Sequence, residues 1–90
     1  MKHFITEQEF KSILMHLREG EVSIMCETDA EDEEIRFRAV KFFYKVILYS
    51  YPFTNDIGLI QEDEEGWDAP LHEVWYDITE QCGFKPFYKL

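Results

Sequence analysis

Phe10, Ile13, Leu14 and Leu17 recur at i, i+3, i+4 and i+7, the spacing that lines one face of a helix. Thr6 and Glu9 stand at capping-box distance ahead of that run, with Ile5 and Phe10 at the staple positions. Gly20 suits the left-handed residue that closes many helices. Together these predict a helix over 7–19. Val22, Ile24 and Cys26 then alternate with Ser23, Met25 and Glu27, the mark of a short strand with one apolar face.

Residues 31–50 fit two patterns. As a strand, Ile35, Phe37 and Ala39 alternate with Arg36 and Arg38, and 34–40 pairs with 22–27 as a hairpin. Its loop, Thr28 to Glu33, has none of the Gly, Asn or Pro that hairpin turns favour. As a helix, Glu34, Arg38, Lys41 and Lys45 share one stripe, while Ile35, Ala39, Phe42, Phe43, Val46, Ile47 and Tyr49 fill the opposite side. Glu34 and Arg38 would then sit at i, i+4 with the acid first. The alternation stops at Ala39 and the helical pattern runs on to Tyr49. The helix is therefore preferred, with the hairpin as the competing reading.

Further on, Pro52, Asn55-Asp56 and Gly58 mark turns, and Leu59-Ile60 is read as a short strand pairing with 22–26. Asp68 is placed as the cap of a last helix carrying Leu71, Val74, Trp75 and Ile78, with Gly83 closing it and Phe84 touching back. The aromatic tail from Phe84 onward is expected to dock on the body. The sum is an α+β fold: one compact domain over 1–90, about three helices packed on a short two- to three-stranded sheet.

Composition adds constraints. Ninety residues cannot divide their apolar content between two cores. At 46% hydrophobic and 17% aromatic, the chain can build one core without metals or disulfides. Cys26 and Cys82 stand apart and no CxxC occurs, which fits reduced thiols. The first residues lack the apolar stretch of a secretion signal, and no run is long enough to span a membrane. A cytoplasmic protein with no membrane contact is expected. The net charge of −10, from 19 acidic and 9 basic residues, disfavours direct binding of nucleic acid.

Catalytic chemistry finds little support. His3, His16 and His72 are isolated, with no HxxxH or HExxH for a metal. Ser12, Ser23 and Ser50 have no nucleophile context, and the four glycines are scattered singly rather than gathered in a phosphate-binding loop. Neither an enzyme, a metal nor a cofactor is expected. Arg36, Arg38, Lys41 and Lys45, interleaved with Phe37 and Tyr44, make a small basic patch, best read as neutralising the acids before it.

Two acidic clusters remain. Glu27, Asp29, Glu31, Asp32, Glu33 and Glu34 form one; Glu62, Asp63, Glu64, Glu65 and Asp68 form the other. The dipole of a helix starting near 31 would account for much of the first. The second lies in an irregular segment beside Trp67, an arrangement that resembles an aromatic anchor ringed by charge. The expected partner-binding residues are Glu31, Asp32, Glu33, Glu34, Glu62, Asp63, Glu64, Glu65, Trp67 and Asp68. The expected function is non-enzymatic: an acidic protein that inhibits a basic, nucleic-acid-acting protein, as nuclease-immunity proteins and phage-encoded anti-restriction or anti-CRISPR inhibitors do. The alternative is a structural or regulatory subunit that forms a homodimer or other assembly through exposed aromatics such as Phe42, Phe43, Tyr44, Tyr49, Tyr51 and Phe53.

Overall fold

Alternation between apolar and polar positions, not helical spacing, governs the middle of the chain. The computed structural model describes residues 1–28, 34–51 and 55–89. The elements are β1 (Lys2–Phe4), α1 (Glu7–Met15), β2 (Gly20–Glu27), β3 (Glu34–Phe42), β4 (Lys45–Tyr51), β5 (Asn55–Gln61), α2 (Asp68–Tyr76) and β6 (Lys85–Lys89). A π-helical turn over Asp77–Gln81 extends α2. The strands form one antiparallel sheet in the order β1-β6-β2-β3-β4-β5.

This overturns the expectation of three helices on a two- to three-stranded sheet. The helix read over 31–50 is instead the β3–β4 hairpin, with Phe42 paired to Lys45 across the two-residue turn Phe43–Tyr44. Ile35, Phe37 and Ala39 face the core from β3, and Val46 and Leu48 face it from β4. The inward positions are odd-numbered before the turn and even-numbered after it. A tight reversal shifts the phase, and the shifted pattern imitates a 3.6-residue repeat. β-Branched and aromatic residues, abundant from Ile35 to Tyr51, also fit a pleated surface better than a helix.

Phe43 makes that turn with φ +48, a left-handed conformation that disfavours a side chain by about 1–2 kcal/mol. Its ring is 78% exposed, so little burial offsets the strain. Phe43→Gly should therefore raise stability by about 0.5–1 kcal/mol, a gain of a few degrees in thermal melting. A lower melting temperature would mean that the exposed ring supports the fold.

α1 begins as its sequence indicates: Thr6 Oγ1 accepts from the Glu9 N–H at 3.2 Å, and Glu9 Oε1 accepts from the Thr6 N–H at 3.1 Å. It ends at Met15, short of residue 19, and Gly20 (φ +140) opens β2 rather than closing the helix. β2 matches its predicted alternation. Leu59 and Ile60 do lie in a strand, but it pairs with β4, since β3 and β6 occupy both sides of β2. The cap position of α2 belongs to Trp67, with no side-chain bond; Asp68 instead meets Lys11 of α1 at 3.0 Å. Gly83 (φ +71) closes the helical segment, and the Phe84 N–H donates to the Ile78 carbonyl at 2.9 Å. The tail docks as β6, between β1 and β2.

Both helices cover one face of the sheet. Phe10 and Leu14 of α1, Leu71 of α2 and Ile78 meet the inward residues of β2 to β5, all nearly inaccessible. Cys26 lies in this core, and burial pushes its thiol up to about 12, whereas Cys82 is exposed. No helix among the described residues is long and apolar enough to cross a membrane.

Candidate interaction surface

The acidic segment after β5 is a closed turn, not an irregular loop. Asp63 and Gly66 pair, with Gly66 N–H donating to the Asp63 carbonyl at 3.0 Å and Asp63 Oδ1 accepting from the Glu65 N–H at 3.0 Å. Asp at the first position and Gly at the fourth suit a tight turn, and Gly66 (φ +96) adopts a conformation few other residues tolerate. Asp63 thus has a local structural task. Glu62, Glu64 and Glu65 are exposed and have no basic partner among the described residues.

Trp67 is half-buried against the core, and the Lys41 ammonium stands 5.3 Å from its ring centroid. Asp68 is exposed, with Lys11 as its counter-charge. Glu31, Asp32 and Glu33 lie outside the described residues. Glu34 is described by its backbone alone, opposite Glu27 where β2 and β3 meet. From Glu34 onward the chain is strand β3, so no helix dipole acts on Glu34.

Register separates Glu27 and Glu34 from the second cluster. Glu27 and Glu34 mark one end of the sheet, while the Glu62 N–H donates to the Tyr44 carbonyl at 3.0 Å at the other. β3, with nine residues at about 3.3 Å each, spans roughly 26 Å between them. Glu27 and Glu34 thus lie at the opposite end of the sheet from Glu62.

Four exposed apolar residues gather at the Glu62 end. Phe42, Phe43 and Tyr44 form the hairpin tip, and Leu59 lies on β5 two pairs along the ladder from the Lys45–Gln61 pair, exposed at 51, 78, 54 and 54% respectively. The aromatics were visible in the sequence, and Leu59-Ile60 was read as a strand; its edge position was not, because that reading paired it with 22–26 and only the sheet order places it outermost.

A second missed feature is the distribution of charge. Between Lys45 and Lys85 there is no Lys or Arg, yet the interval holds nine acids. Outside it, the counts nearly balance, at ten acids and nine bases. The exposed face of α2 and its π-helical extension continues the bias with Glu73, Asp77 and Glu80, none ion-paired among the described residues. The long base-free interval was the signal that could have revealed this.

The basic patch divides across the sheet. Arg36 and Arg38 lie on the face away from the helices, opposite Met25 and Ser23, while Lys41 faces the helical side beneath Trp67. Arg38 forms a two-pronged bond to Glu21 at 2.8 and 2.6 Å, which lowers the Glu21 carboxyl from its usual range and raises the guanidinium. These residues do not combine into one phosphate-binding surface.

Among the described residues, Glu9 is the most perturbed carboxylate. Tyr88 donates to it at 2.6 Å, the Thr6 N–H adds a bond, and His3 Nε2 lies 3.1 Å from both oxygens. Led by the Tyr88 bond, these contacts lower its pKa to about 2. So weak a base is unsuited to accepting protons near neutral pH. The cluster instead ties β1 and β6 to the start of α1. His72 similarly joins α2 to Glu7 of α1. Among the described residues no group of His, Cys, Asp and Glu is placed to hold a metal ion.

In comparisons with known proteins, the chain matches no family model, no curated protein and no solved structure.

Proposed function

We propose that this chain is a non-enzymatic, acidic binding protein that neutralises a basic, nucleic-acid-acting protein through the hairpin end of its sheet. The observation that carries the reading is the base-free interval from 46 to 84, whose nine acids nearly equal the net charge of the whole chain. Its turn sets three unpaired glutamates beside an exposed aromatic tip. Carboxylates around aromatic anchors complement the cationic surface on which a nuclease or similar protein holds phosphates. Opposite charge also speeds encounter. A reducing cytoplasm suits the two free thiols.

The test is capture from a native lysate at low salt, followed by a salt gradient. A nucleic-acid-processing protein should bind to the wild-type chain, lose its nucleic-acid activity in the complex, and elute as salt rises. Reversing Glu62, Asp63, Glu64 and Glu65 to Lys in a still-folded variant should abolish capture. Equal capture by that variant sinks the proposal.

The exposure of Phe42, Phe43, Tyr44 and Leu59 favours a second reading, self-assembly through the same end. Salt distinguishes them, because apolar assembly holds or tightens as ionic strength rises.

A further inference from the structure

The two edges of the sheet differ. β1 is three residues long and begins with Lys2, a short, charged edge of the kind that resists further pairing. β5 is seven residues long, Asn-Asp-Ile-Gly-Leu-Ile-Gln, with neither Lys nor Pro, and pairs on one side only.

Its free backbone groups follow from the ladder. Glu62 and Tyr44 form a hydrogen-bonded pair, and antiparallel ladders alternate bonded with non-bonded pairs. Ile60, opposite Val46, therefore bonds inward to β4. Gln61, opposite Lys45, and Leu59, opposite Ile47, direct their N–H and C=O groups outward. No backbone bond beyond the β4 ladder reaches either residue among the described ones. The Leu59 side chain is 54% exposed on the same strip, with Glu62–Glu65 directly after it.

We infer that β5 accepts an extended basic segment of the partner as a seventh strand. Its backbone pairs with Leu59 and Gln61, its apolar side chains cover Leu59, and its Lys or Arg side chains meet Glu62, Glu64 and Glu65. Such strand addition draws affinity from main-chain bonds and specificity from alternate side chains. Charge selects this occupant over a second copy. A cationic strand supplies counter-charges to Glu62, Glu64 and Glu65, which a second copy of net charge −10 does not. The inference rests on the proposed acidic binding surface and names how that surface is engaged.

The probe is a capped seven-residue peptide of alternating valine and lysine, titrated into the full-length chain. On saturation, amide exchange should slow at Leu59 and Gln61 while the β1 edge is unchanged. Gln61→Pro removes one outward donor at an edge position where proline is tolerated, and should weaken binding at least about tenfold. A peptide of equal charge with N-methylated backbone amides should bind as weakly, and it keeps the test valid where Gln61→Pro disturbs the fold.

If the charge-reversed turn abolishes binding while Gln61→Pro and the N-methylated peptide do not, strand addition is overturned and the acidic-surface proposal stands. Undiminished binding to the reversed turn overturns the acidic-surface proposal itself. Failure of the peptide to bind the wild-type chain overturns strand addition. Dilution-sensitive protection of Leu59 and Gln61 without peptide assigns the edge to a second copy, and also overturns it.

Discussion

Phe10→Ala should lower the melting temperature by more than about 15 °C, or leave the chain unfolded at ambient temperature. Phe10 is fully buried, and its ring centroid lies 6.0 Å from that of Phe37 on β3 and 5.2 Å from that of Trp75 on α2. One side chain therefore joins α1 to both the sheet and the second helix. Truncating a buried phenylalanine costs about 3–5 kcal/mol, from lost transfer energy and the cavity that remains. A domain of this size has only about 5–15 kcal/mol to lose. Urea unfolding with an unchanged slope would attribute the loss to the native core. A shift under about 1 kcal/mol would contradict the packing described here.

Trp67→Ala should destabilise the chain by about 2–3 kcal/mol, a little less than full burial would give. The residue is half-buried, packs on the core and carries the Lys41 ammonium over its ring. It is also the junction between the acidic turn and α2. Trp67→Phe keeps most of the apolar area and should recover more than half of the loss. Unchanged unfolding together with lost partner binding would make Trp67 a contact residue that contributes nothing to the core. The expected result leaves Phe42, Phe43, Tyr44 and Leu59 as the apolar contacts at this end of the molecule.

Much of the local structure was legible because its causes are local. The Thr6–Glu9 box, the alternation of β2 and the glycine at 83 need no distant residue, and each is found where it was expected. The β3–β4 hairpin was not legible. Its turn is Phe-Tyr, without the residues that usually signal a reversal, and a tight reversal turns an alternating pattern into one resembling a helix. The candidate surface was half legible. The acids of 62–65 and the aromatics of 42–44 stand out in sequence, but nothing local shows that a backbone bond between Glu62 and Tyr44 joins them.

Sequence alone determined the acidity, the capped first helix, the apolar face of β2 and the absence of recognisable catalytic motifs, because short-range spacing and composition are sufficient for each. Tertiary structure decided which strands pair, which strands form the edges, and that Glu27 and Glu34 lie at the other end of the sheet from Glu62. Those outcomes depend on contacts between residues far apart in the chain, where no local pattern specifies the partner.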